Sequence, residues 1–202
     1  MAGRSRTLVV GLLLFALAAS ACDLPTLRET RKQADALPET SFVYAADGTL
    51  ITRLNAGVDR VSIRSSKIPD VARNAVIAVE DQRFYEHKGL DLRALLRAAY
   101  VDATTGEVVE GGSTITQQLV KQVYVGDEVS LARKAREAYL AWQLENTLTK
   151  QQILTKYLNT VYFGNGAYGI QAAAETYFDK EPLQLTLEES ALLAGLSAAP
   201  VN

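Results

Sequence analysis

The sequence predicts a mainly α-helical domain with a small β-hairpin near its start. Three observations predict this. With 202 residues, 48% apolar and 22% charged, the chain suits one domain with a buried core and is too apolar for wholesale disorder. From Pro69 onward the apolar residues recur at helical spacing rather than alternating. Before that, Asp47-Gly48 sits between the short apolar runs Phe42-Val43-Tyr44 and Leu50-Ile51, the signal of a tight hairpin turn. No internal repeat is present.

At the amino terminus, Arg4 and Arg6 precede an apolar run from Thr7 to Ala21, the charge order of an export signal. The run ends at Ala19-Ser20-Ala21-Cys22, which resembles a lipobox with Cys22 as the lipidated residue, although Ala19 stands where Leu is preferred. An uncleaved signal anchor is the rival reading, and the run falls short of the roughly 20 apolar residues of a spanning helix. Both readings place the remainder outside the cytoplasm, tied to a membrane, with the arginines inside. Cleavage after Ala21 would instead release a soluble secreted protein. Residues 23–40, polar and broken by Pro25 and Pro38, read as a tether, and 41–202 as the folded domain.

The helices follow in order. Pro69 serves as a first-turn proline for a helix with apolar positions Val71, Ala72, Ala75, Val76 and Val79, ending at or near Glu80. Asp91 caps a second helix with the stripe Leu92, Leu95, Leu96 and Ala99. Gly111-Gly112 breaks the chain, and Ser113 or Thr114 caps a helix to about Val123. A longer helix runs from Ser130 to about Thr147. Thr149 with Gln152, and Thr186 with Glu189, are capping-box pairs that open two more, with a turn at Gly164, Gly166 and Gly169 between them.

A net charge of −2 gives no general attraction to nucleic acid, so an anionic ligand needs a local cluster of Lys and Arg. One Cys and one His are too few for a Cys/His zinc site. Glu80 and Asp81 stand at a helix end before Phe84, Tyr85 and His87; a carboxylate against aromatic surface is suited to acid–base work, while a pair of surface acids is the bland alternative. Glu137 shares a helix face with Leu140, Ala141, Leu144 and Leu148, so its carboxylate needs a partner, with Arg133 or Lys134 in reach, or a function. Thr114, Gln117, Gln118 and Lys121 form one polar stripe, fit either to bind sugar and phosphate or to face water. His87 reads as structural support, and the glycines after Phe163 read as a turn, because no Gly-Lys-Ser/Thr follows them.

In order, these segments resemble the peptidoglycan glycosyltransferase family (glycosyltransferase family 51), found as monofunctional enzymes and as the first catalytic module of class A penicillin-binding proteins. The resemblance rests on Glu80-Asp81-x-x-Phe84-x-x-His87-x-Gly89, on Gly112-Ser113-Thr114-Ile115-Thr116-Gln117-Gln118-Leu119-x-Lys121, and on Arg133-Lys134-x-x-Glu137. It continues through Tyr157-Leu158-Asn159 and Tyr162-Phe163-Gly164 to Ala167-Tyr168-Gly169-Ile170, and covers the chain from about Phe42 onward. It implies a lysozyme-like, two-lobed helical fold with a membrane-proximal small lobe at the extracytoplasmic face of a bacterial cytoplasmic membrane. It implies polymerisation of lipid II into glycan strands, with inversion at the anomeric carbon and loss of the lipid pyrophosphate.

By the same resemblance, Glu80 is the general base and Glu137 lines the donor side, positioning the pyrophosphate or its Mg or Mn ion. Asp81, Ser113, Thr114, Gln117, Gln118, Lys121 and Asn159 belong to the substrate site, and Arg133, Lys134 and Arg136 add positive charge. Lipid II, the nascent glycan strand, the membrane and other cell-wall synthesis proteins are the implied partners. Three positions depart from the family pattern: Gln122 replaces an Asn, Val129 replaces an Arg that would grip phosphate, and Ala199–Asn202 falls inside a segment that continues in relatives, so the sequence reads as a fragment. A lysozyme-like glycan hydrolase, or an inactive membrane-tethered module that only binds lipid II, are the competing expectations.

Overall fold

The computed structural model describes Leu27 and residues 37–55, 57–105, 112–125 and 130–199. The export-signal run, Cys22, most of the tether and Val129 lie outside these residues. No described helix is long and apolar enough to cross a membrane.

The hairpin forms where the turn signal placed it. Strand β1 (Ser41–Tyr44) pairs antiparallel with β2 (Leu50–Leu54), Phe42 opposite Arg53, with an irregularity at Val43/Tyr44. Gly48 takes φ 86° and the Asp47 carboxylate accepts the Thr49 N–H at 2.9 Å, an Asx-type turn. The short strand β3 (Asp59–Arg60) was not legible from periodicity. It pairs in parallel with β4 (Ala167–Tyr168), sewing the start of the domain to the glycine turn more than a hundred residues later.

Seven α-helices dominate the rest of the described fold. Helix α1 (Asp70–Glu80) is capped by Pro69, which lies just before the first turn rather than in it. Its buried positions are Ala72, Arg73, Val76 and Ile77, while Val71 and Val79 are exposed. The core face is thus rotated from the Val71–Ala75–Val79 ridge, because Arg73 can bury its stem while its guanidinium reaches the carbonyl of Ile68. Helix α2 (Leu92–Thr105) is capped by Asp91, whose Oδ1 accepts the Ala94 N–H at 2.9 Å. Its stripe does not face a core: Leu92, Leu95, Leu96 and Tyr100 are exposed.

Thr114 caps α3 (Ile115–Val120) in a full capping box with Gln117. The chain then continues to Val125 as a π-helix (Lys121–Val125), where an unbroken α-helix to Val123 was expected. Ser130 caps α4 (Leu131–Thr147), and Thr149 with Gln152 box-caps α5 (Lys150–Thr160). Helix α6 (Ile170–Phe178) begins directly after Gly169, and Thr186 with Glu189 box-caps α7 (Leu187–Ala198). The core gathers Phe84, Ile115, Leu119, Leu140, Leu144, Ile153, Leu154, Tyr157, Leu158 and Ile170. Helix α3 packs between α4 and α5, and α7 lies along α1.

Candidate active site

Glu80 is the last residue of α1, where the helix stops because Asp81 leaves helical geometry at φ −160°. The turn sends the two neighbouring carboxylates different ways. Asp81 turns inward: His87 Nε2 lies 2.9 Å from both of its oxygens, and the Ile115 N–H at the start of α3 donates to Oδ2 at 3.1 Å. A carboxylate at a helix N-terminus is favoured by the unpaired amides there. Asp81 and His87 therefore act as a buried clasp between the loop after α1 and α3.

Glu80 stays half-buried and is held by two donors from distant parts of the chain. Gln118 Nε2 donates to Oε2 at 2.7 Å from α3, and Ser197 Oγ lies 3.0 Å from Oε1 on α7. Tyr157, fully buried on α5, donates its hydroxyl to Gln118 Oε1 at 3.0 Å. Burial pushes the Tyr157 phenol well above its ordinary value, and the Glu80 carboxylate adds to the shift.

Glu137 lies on α4 among Leu140, Ala141 and Leu144 and is 1% exposed. Both oxygens are paired: Arg133 Nη1 donates to Oε2 at 2.7 Å, and Lys134 Nζ to Oε1 at 2.6 Å. Lys134 also donates to Ser113 Oγ at 2.8 Å. The salt bridge expected from helix spacing is present with both candidate partners at once. Arg133 and Lys134 against one Glu137 leave the cluster net positive, and Arg133 Nε is buried with no acceptor among the described residues. Helix α3 runs between the two glutamates, tied at its leading end to Glu137 through Ser113 and Lys134, and farther along to Glu80 through Gln118.

The polar stripe is mostly not a solvated face. Thr114 and Gln117 are buried, Gln118 is half-buried, and only Lys121 is exposed. Thr114 and Gln117 serve the capping box, and Thr114 Oγ1 also donates to Gly89 O at 2.6 Å. Arg136 is half-buried on α4. Asn159 is committed to the main chain of Ile63, accepting its N–H and donating to its carbonyl, each at 2.9 Å. It holds the segment before α1 in place.

Sequence reasoning passed over Tyr157 as a member of the Glu80 network and gave no signal at all for Ser197. Thr116 is equally quiet, yet it and Lys150 both donate to Glu145 Oε1, at 2.6 and 2.7 Å, and Lys150 Nζ rests 4.4 Å over the Phe84 ring.

One group could hold a metal ion among the described residues: Asp81, His87 and Asp91 bring three ligand atoms within 4.8 Å of one another. Asp91 is paired with Arg83. Burial works to raise the Asp91 carboxyl, but the Arg83 guanidinium and the Ala94 N–H outweigh it and hold the group below its ordinary value. A cavity of about 470 Å³ opens beside His87 and Asp91, lined also by Arg83, Glu86, Lys88 and Arg93, and Glu80 does not line it.

The chain matches the family model described as transglycosylase over residues 47–202. Penicillin-binding protein 1A of Neisseria lactamica is 42% identical over 191 residues, 95% of this chain and 24% of that protein. Penicillin-binding protein 1A of Aquifex aeolicus is 45% identical over 166 residues, 82% of this chain and 23% of that protein. The protein of the same name from Haemophilus influenzae is 45% identical over 164 residues. The chain thus spans about a quarter or less of the length of these relatives.

Proposed function

Because the chain belongs to the transglycosylase family, that of the peptidoglycan glycosyltransferases, we propose that it polymerises lipid II into glycan strands with Glu80 as the general base. The observation that carries this reading is the pair of glutamates joined through α3, one half-buried and hydrogen-bonded, the other neutralised by two cations. A half-buried carboxylate held by donors is fixed in direction yet reachable by substrate, which a general base requires.

In the proposed step Glu80 takes the proton of the acceptor sugar hydroxyl. That oxygen bonds to the donor's anomeric carbon from the face opposite the pyrophosphate, and the bond from carbon to pyrophosphate oxygen breaks with inversion. The negative charge gathers on the departing pyrophosphate. Arg133 and Lys134, with Arg136 on the same helix and Lys121 at the start of the π-helix, supply positive charge for it, and Glu137 fixes where the first two point. Ser113 and Gln118 mark the donor side and the base side of the same helix.

A resident divalent ion does not fit the carboxylates present. Both Glu137 oxygens are taken by Arg133 and Lys134, and in the acidic group Asp81 is held by His87 and Ile115 while Asp91 is held by Arg83. No step is therefore routed through a metal. The exposed apolar side of α2 supports placement against a membrane, and the charge order of the amino-terminal run, Arg4 and Arg6 before apolar residues, supports the extracytoplasmic face of a bacterial cytoplasmic membrane.

Incubation with labelled lipid II tests the reading. Growing glycan chains with release of lipid pyrophosphate are expected. Cleavage of finished glycan without growth would establish the hydrolase instead, and lipid II binding without turnover an inactive module.

A further inference from the structure

Resting on the reading of Glu80 as base, we infer that Tyr157 and Ser197 are positioning residues: Tyr157 fixes the orientation of the Gln118 amide, and Ser197 gives Glu80 a hydrogen-bond partner that tolerates both of its protonation states. Neither touches the reacting atoms in this scheme. Both act through the base.

Gln118 can present either its amide nitrogen or its oxygen to Glu80. The Tyr157 hydroxyl, 3.0 Å from Gln118 Oε1, selects the nitrogen, because a donor on one side leaves the amide N–H to face the other. Were the amide turned, its oxygen would meet the Glu80 carboxylate lone pair against lone pair, an arrangement that suits only a protonated Glu80. The Tyr157 phenol is fully buried and keeps its proton, so the selection persists across the working pH range. Tyr157 thereby favours the ionised base.

Ser197 acts on the other oxygen. Its hydroxyl carries one hydrogen, lies beside the Tyr157 hydroxyl, and can give that hydrogen to Glu80 Oε1 at 3.0 Å or to Ala194 O at 2.9 Å. With Glu80 ionised, the hydrogen belongs on Oε1. When Glu80 gains the proton of the acceptor hydroxyl, the Ser197 hydrogen turns to Ala194 O, and no polar group is left unpaired. Gln118 has no such second state, so Oε2 remains an acceptor and Oε1 is the oxygen suited to take the proton. Among the described residues, α5 presents the Tyr157 phenol to this exchange, α3 the Gln118 amide and α7 the Ser197 hydroxyl, while the Asp81 carboxylate is turned to His87 and Ile115.

The test is the pH profile of lipid II polymerisation for the parent chain, Ser197→Ala, Ser197→Thr, Tyr157→Phe and Glu80→Gln, each with a thermal melt. Ser197 pairs with both forms of Glu80, but its bond to the ionised carboxylate is charge-assisted and the stronger of the two, so removing either hydroxyl weakens support for the ionised form. The acid limb of kcat/KM should therefore move up by about one pH unit in Ser197→Ala and in Tyr157→Phe. kcat should fall roughly tenfold, with KM little changed. Ser197→Thr, which keeps the hydroxyl, should restore the parental limb. An acid limb unmoved in both deletion variants, or a change confined to KM, would overturn the inference. If Glu80→Gln polymerises like the parent, the reading of Glu80 itself fails and this inference with it. If Glu80→Gln is inactive while Ser197→Ala and Tyr157→Phe keep the parental profile, the inference alone fails.

Discussion

At the scale of single residues, Glu137 decides how the Arg133–Lys134 cationic pair is held. A buried carboxylate is tolerated because two cations meet it, and removing it leaves Arg133 and Lys134 facing each other with nothing between. Glu137→Ala should destabilise the fold by about 3 kcal/mol, the low end for a broken buried pair because Lys134 is partly solvated, read as a lowered melting temperature. Tyr157 makes a pH-dependent contribution of definite sign. The folded state raises its pKa, so the stability it contributes is fully present below about pH 10 and is lost as pH rises beyond that. Tyr157→Phe should flatten the fall in melting temperature above pH 10; an alkaline limb identical to the parent's would exclude this role. Glu137 was legible in the sequence because an acid at helical offsets from four apolar residues has to be buried. Ser197 was not, since a serine near a helix end carries no pattern, and its contact with Glu80 spans 117 residues.

At the scale of elements, the loop after α1 is held by close backbone approach. Gly89 adopts φ 81°, and a Cβ there would lie 2.9 Å from the carbonyl of Ala141 on α4. Thr114 at the head of α3 donates to the Gly89 carbonyl, so three segments bearing site residues meet at one glycine. Gly89→Ala should cost about 2–5 kcal/mol from positive φ and overpacking together, measured by denaturant unfolding. A cost under about 1 kcal/mol would show that the loop yields instead. Helix starts were readable because capping boxes are local: Thr114, Thr149 and Thr186 all cap as their spacing implies. Local pattern could not give the facing of α1, where Arg73 is buried and Val79 is not, nor the π-helical turn after Val120. Tertiary packing settles both. The pairing of β3 with β4 is likewise non-local, two residues of strand with no alternation to betray them.

At the scale of the whole molecule, one helix breaks the rule that apolar stripes face the core. Leu92, Leu95, Leu96 and Tyr100 stand exposed on α2, a side that water does not favour and a lipid surface would. Leu95→Glu with Leu96→Glu should change stability by less than about 0.5 kcal/mol per site, being exposed, while sharply reducing binding to anionic lipid vesicles. Unchanged vesicle binding would remove α2 from the membrane contact. Elements from across the chain converge on one carboxylate, Glu80. Glu80→Gln keeps the shape and the contacts with Gln118 and Ser197 but cannot accept a proton. Its rate of lipid II polymerisation, measured beside its lipid II affinity, is the most direct test: a loss of at least about a hundredfold in rate with affinity retained is predicted, and polymerisation near the parental rate would contradict the account.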